Sequence, residues 1–92
     1  MVEKTTKVRN KAGIHCRPSS IILSKLEEYP DHRVGIKTGR GDIELNSILG
    51  LLALGLQRGD AVTVLADGPK AQEVCDVVAD LFACEFDFPP RG

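Results

Sequence analysis

Apolar and polar positions alternate from Thr5 to Arg9, then give way to Asn10-Lys11-Ala12-Gly13. The alternation predicts a first strand and the polar, glycine-ended run predicts a loop. From Arg17 to Glu28 the period lengthens, with Ile22, Leu23 and Leu26 on one side, Pro18 suited to a first turn and Pro30 as a stop, which predicts a helix. Arg33 to Lys37 and Asp42 to Leu45 read as two short strands joined by a hairpin turn at Thr38-Gly39-Arg40-Gly41. Asn46-Ser47 has the composition of a helix start, ahead of Ile48 to Leu54 and a closing Gly55. Ala61 to Ala66 alternates again as a fourth strand. Gly68-Pro69 opens a last helix, with Val74, Cys75, Val78, Leu81 and Phe82 at helical spacing. The terminal Asp87-Phe88-Pro89-Pro90-Arg91-Gly92 cannot continue that helix, because proline lacks the amide donor.

The predicted order is β-α-β-β-α-β-α. Strands of this length and alternation bury one face only, so the helices belong on one side of the sheet. The expected fold class is α+β, a two-layer open-faced β-sandwich whose four-stranded, mainly antiparallel sheet carries three helices on one face. A chain of 92 residues suits one compact domain and not two. We therefore expect a single domain over residues 1–92, with 86–92 as an irregular tail.

Charge narrows the function classes. Twelve basic and thirteen acidic residues leave a net charge of -1, without the basic stripe expected of a nucleic-acid binder. The longest apolar cluster, Ile48 to Leu56, is broken by Gly50 and Gly55 and is far too short to span a bilayer. The first residues, Met-Val-Glu-Lys-Thr-Thr, do not read as a signal peptide. The three cysteines, Cys16, Cys75 and Cys84, read as free thiols of a reducing, cytoplasmic compartment. Cys75 and Cys84 lie on one helical stretch, at a separation of roughly 13 Å by helical rise, too far for a disulfide. They suit a core better than a ligand set, so no metal and no cofactor is expected.

The chemistry concentrates in Gly13-Ile14-His15-Cys16-Arg17-Pro18-Ser19-Ser20. This segment sets a histidine at a helix entrance, where backbone amides lack helical partners and the dipole favours an anion. Arg17 adds a fixed charge able to chelate phosphate oxygens. The same positive surroundings disfavour an imidazolium and keep the ring nucleophilic. Phosphoryl transfer asks chiefly for positioning and charge neutralisation, and this corner offers both. On the residues alone two readings stand: a covalent phosphohistidine site, or a histidine that merely caps a helix beside a solvated arginine.

Gly13-Ile14-His15-Cys16-Arg17-Pro18-Ser19 closely resembles the histidine-site motif of the HPr phosphocarrier family. Leu45-Asn46-Ser47-Ile48-Leu49-Gly50 resembles the family's regulatory-serine motif at the right distance, and the resemblance runs from about Glu3 to Cys84. It implies a sheet order of 1-4-2-3 and a role in the phosphoenolpyruvate-dependent sugar phosphotransferase system. His15 would accept a phosphoryl group through Nδ1 from phospho-enzyme I and donate it to an enzyme IIA protein or domain. Arg17 would stabilise the phosphate. The chain would thus be a carrier with a covalent phosphohistidine rather than a free-standing enzyme. Cys16, Ser19 and Ser20 depart from the family's commoner Thr or Ala at those positions.

Ser47 reads as an N-cap shared with Asn46, and the resemblance adds phosphorylation by HPr kinase/phosphorylase, with a transcriptional regulator as a further partner. The following helix is apolar nearly all round. Leu51 and Leu54 can face the core, leaving Ile48, Leu49 and Leu52 to point outward, where an apolar patch marks an interaction surface. With Ser20 these form the expected partner-binding set. Two other readings are a purely regulatory binding module controlled through Ser47, and a thiol catalyst at Cys16, which lacks a neighbouring acid or second cysteine. His32 follows Asp31 in a loop and reads as solvated, and Arg40-Gly41-Asp42 reads as turn chemistry.

Overall fold

The computed structural model describes residues 1–9 and 16–83, with residues 16–18 as backbone only. The elements follow as β1 (Val2–Lys7), α1 (Cys16–Leu26), β2 (Arg33–Thr38), β3 (Gly41–Glu44), α2 (Ile48–Ala53), β4 (Ala61–Asp67) and α3 (Ala71–Phe82). The expected order is found. The strands form one sheet, β1-β4-β2-β3. Every pairing is antiparallel, with registers anchored at Thr5↔Thr63, Ile36↔Val64 and Ile36↔Ile43.

Alternation decides the two faces of the sheet. Val62, Val64 and Ala66 of β4 and Val34 and Ile36 of β2 point inward, each buried. They meet Ile22 of α1, Leu51 of α2 and Val74, Cys75, Val78, Ala79 and Phe82 of α3 in one cluster. On the open face Thr5 and Thr63 share a 2.9 Å hydroxyl hydrogen bond.

Several boundaries differ from the sequence reading, each for a physical reason. β1 runs over Val2–Lys7 rather than Thr5–Arg9. It is a polar edge strand whose extent is set by pairing with β4, and whose Lys4 reaches Asp76 of α3 at 3.3 Å. Beyond it, Val8 is pinned by two backbone bonds, donating to Asp60 at 2.9 Å and accepting from Gly59 at 2.8 Å. The first helix stops at Leu26 rather than Glu28. Glu27, Glu28 and Tyr29 donate to carbonyls three residues back, a tightened last turn.

The last helix begins at Ala71, not at Gly68-Pro69, and its start corrects the reading of His32. That side chain is half-buried, and its Nε2 accepts the Lys70 backbone N–H at 2.8 Å. Lys70 is the N-cap of α3 and its own side chain makes no capping bond. A histidine from the residue just ahead of β2 therefore satisfies a helix end that the local sequence leaves open. The ring stands edge-on to Tyr29, centroids 5.7 Å apart. Tyr29 in turn donates to Glu73 at 2.8 Å, and that bond pushes the phenol above its usual range. Gly68 makes room for the ring: its φ is +140°, and a Cβ there would lie 2.5 Å from His32 Cδ2. Gly68→Ala is expected to cost roughly 1–3 kcal/mol, read from the urea midpoint, because strain and displacement of the capping ring coincide. A change below about 0.5 kcal/mol, the range of a bland surface substitution, would contradict this placement.

Candidate functional site

The chain direction brings the relevant ends together. β4 leads through the Gly68–Lys70 turn into α3, which returns along β4 and β1, so α3 finishes near the end of the sheet where β1 stops. The chain leaves β1 through the pinned Val8 and re-enters regular structure at Cys16, the first residue of α1. His15 immediately precedes that helix in sequence. It lies outside the described residues with Gly13, as do the side chains of Cys16 and Arg17, and also Cys84 and the tail.

α1 packs against α2 and α3. Its inward face carries Ser19 and Ile22, both fully buried, with Leu23 and Leu26 packed at the margin of the core. Ser20 is exposed. The Ser19 hydroxyl makes no hydrogen bond among the described residues.

Ser47 is the N-cap of α2, in extended conformation, its Oγ accepting the Gly50 N–H at 3.3 Å. The sequence reading shared this cap with Asn46; the structure gives it to Ser47. Leu51 is buried, as expected, while Leu54 is only partly so. Ile48 is 39% exposed and Leu49 77%, so both face outward. Leu52 is expected beside them but is half-buried on a helix that α1 packs against. Ser47 and Ile48 also border a groove whose other walls are Leu23 and Leu26 of α1, Tyr29 and Leu45. Nothing in the sequence signals this groove, since its walls come from separate elements.

A second polar cluster braces the opposite loops. Arg40 in the β2–β3 turn meets Asp60 at 2.6 Å, and the Gln57 N–H donates to the same carboxylate oxygen at 2.8 Å. The guanidinium first, then the Gln57 amide, hold the Asp60 carboxyl below its usual range. Arg40 thus serves the turn, as its reading as turn chemistry implied. Cys75 is buried, donates weakly to the Val64 carbonyl at 3.4 Å, and has its thiol pushed up by burial. That is an inert core thiol, not a reactive one.

The family model described as the PTS HPr component phosphorylation site matches residues 2–83. The chain belongs to the HPr family. Among relatives of this HPr-family chain, phosphocarrier protein NPr of Klebsiella oxytoca is 32% identical over 87 residues, covering 94% of this chain and 96% of the relative. Phosphocarrier protein HPr of Treponema pallidum is 26% identical over 87 residues, covering 95% and 98%. Among solved structures, HPr-C-His from Thermoanaerobacter tengcongensis superposes with a TM-score of 0.80 at 26% identity, covering 89% of this chain and 91% of that one. The phosphocarrier protein HPr from Bacillus anthracis also gives 0.80, at 22% identity over 88% and 95%, and shares the fold. The open-faced α+β sandwich, the 1-4-2-3 sheet order and the HPr resemblance are therefore established for this chain. Among the described residues no helix is long and apolar enough to cross a membrane.

Proposed function

We propose that this chain is a cytoplasmic phosphoryl carrier that accepts a phosphoryl group on His15 from phospho-enzyme I and donates it to an enzyme IIA protein or domain. The observation that carries this reading is the family match over residues 2–83, which spans a histidine set directly before α1 and an arginine in its first turn. Residues 1–92 act in it as one domain. The imidazole Nδ1 lone pair attacks phosphorus as the bond to the donor breaks, and the reverse displacement delivers the group to the next acceptor. Arg17 and the free amides of the helix entrance offset the charge of the bound group. No cofactor or metal enters this scheme.

Partner docking falls to Ser20, Ile48, Leu49 and Leu52. Leu49, at 77% exposure, is the apolar anchor of that surface, and burying such a side chain against a partner is the usual source of a docking hot spot. Leu49→Asp is expected to weaken binding of enzyme I, measured by calorimetry, by about ten- to thirtyfold, with an unchanged melting curve. Equal binding by the variant would place the docking surface elsewhere.

Ser47 is the regulatory residue of this reading. Its side chain is exposed on the groove rim beside Ile48. A phosphate there adds charge within the docking surface without breaking into the core, so a kinase of the HPr kinase/phosphorylase type would lower acceptance from enzyme I. A transcriptional regulator is a further partner for the Ser47-phosphorylated form.

The test of the central claim is incubation with enzyme I and phosphoenolpyruvate, followed by intact-mass analysis. One phosphoryl group, labile to acid and stable to base, is the expected product. A protein whose mass does not change under conditions that phosphorylate another HPr would overturn the reading.

A further inference from the structure

α3 opens without a cap of its own. Lys70 stands at the N-cap and its side chain makes no capping bond, so its backbone N–H turns to Nε2 of His32 at 2.8 Å. That bond fixes the state of the ring. An imidazole nitrogen accepts a hydrogen bond only while it carries no proton, so Nε2 keeps its lone pair and the single proton of the neutral ring sits on Nδ1. Nδ1 is enclosed and has no partner among the described residues. A second proton could enter only at Nε2. It would turn an acceptor into a donor facing another donor, at the positive end of a helix dipole.

The ring is confined where it is. Tyr29 stands edge-on to it and is itself tied to Glu73 of α3, and Gly68 leaves no room for a Cβ on its other side. Charges face it from each element around it. Asp31 and Arg33 flank it in sequence and, with Asp67 at the end of β4, line the cleft on one side. Glu27 shares the groove on the other, and Lys70 and Glu73 come from the start of α3. Each of these charged side chains is exposed, where water and salt weaken its field, whereas the bond at Nε2 is direct.

We propose that His32 is a proton-operated latch on α3: the neutral ring holds the helix start, and a proton from solvent on the Nε2 lone pair breaks the bond to the Lys70 N–H and frees it. The latch opens as pH falls through the range in which histidines charge, between about pH 8 and 5. Stability falls in the same direction, because the unfolded chain takes up this proton freely and the capped form does not. The ring is also part of the wall of the groove that Ser47 and Ile48 border, which puts the latch beside the surface proposed for docking.

The experiment measures urea unfolding of the parent and of His32→Gln from about pH 8 to about pH 5. An NMR titration of the parent follows the His32 ring nitrogens and the Lys70 amide over the same range. The glutamine amide oxygen can accept the same N–H and does not titrate. The folding equilibrium constant of the parent is expected to fall about tenfold more than that of His32→Gln, the size of a lost helix cap. His15 is present in both proteins and cancels in the comparison. In the titration, Nε2 is expected to gain its proton in step with a loss of hydrogen-exchange protection at Lys70, after correction for the intrinsic pH dependence of exchange. Equal pH dependence in the two proteins overturns the latch. A parent that gains stability over the variant in acid also overturns it, because the flanking carboxylates would then govern the ring. Should His32→Gln fail to fold, the titration of the parent decides alone: a Lys70 amide that stays protected while Nε2 takes up its proton refutes the proposal, and a coupled loss supports it.

Discussion

His15→Ala is expected to reduce phosphoryl acceptance from phospho-enzyme I to background while the protein melts within a few degrees of the parent. On the proposed function the effect is all-or-none, because the phosphoryl group would be held by a covalent bond to one ring nitrogen and alanine offers none. The chain has two histidines, so the strength of the prediction depends on whether His32 can substitute. The structure says it cannot. Nε2 of His32 already accepts the Lys70 amide at 2.8 Å, and its Nδ1 is buried without a partner. Phosphorylating Nε2 would require opening the start of α3, and Nδ1 is enclosed. Intact mass and acid lability on the single variant, with His15→Ala/His32→Ala as companion, make the measurement. Residual phosphate that survives His15→Ala and vanishes in the double variant would move the site to His32 and refute the assignment.

Phe82→Ala is expected to cost about 3–5 kcal/mol, the largest loss of stability from one side chain among the described residues. Phe82 is wholly buried and is the largest fully enclosed side chain among the described residues. It lies at the last position of α3, where that helix packs over β1 and β4 and touches α1. The core cluster it belongs to is rich in β-branched residues held in the sheet, such as Val62 and Val64, which have little freedom to collapse into a cavity. A domain of this size has roughly 5–14 kcal/mol of stability in total. The loss should therefore appear as a fall in melting temperature of about 15–30 °C, with the urea midpoint moving in parallel. Leu81→Ala, one residue earlier and only partly buried, should cost far less. Equal losses at the two positions would contradict the inward orientation of Phe82. Because α3 ends at the same end of the sheet where α1 begins, loosening it should also slow transfer at His15 before global unfolding is reached.

The elements differ in how far they could be read from the chain. β4 and β2 set an apolar residue inward at every second position, Val62, Val64 and Ala66 in one and Val34 and Ile36 in the other, because one face meets the core, so period two is written into them even though Leu65 stands on the outer face. α3 has its buried residues at helical spacing for the same reason. The bounds of β1 are not legible in the sequence because an edge strand of Glu, Lys and Thr has no apolar period, and only the β4 ladder gives it a boundary. His32 reads as solvated from local sequence because its partner, the Lys70 amide, is 38 positions away. The Arg40–Asp60 and Tyr29–Glu73 pairs are equally invisible to local pattern, at 20 and 44 positions. The apolar run of α2 was legible as a surface, but the share of it left uncovered was not. Leu52 turned inward enough to be half-buried, which leaves Ile48 and Leu49 to present the patch.

By itself, the sequence determined the succession of strands and helices, the one-sided sheet and the His15 and Ser47 motifs. Each of these is a local matter of period, capping chemistry or residue order. The tertiary structure alone decided the edge strand's extent, the capping of α3 by His32, the groove between α1 and α2 beside Ser47, and the enclosure of the Ser19 hydroxyl. Those depend on which distant groups share a neighbourhood. Burial and hydrogen-bond partnership are properties of the packed chain, and no spacing along it encodes them.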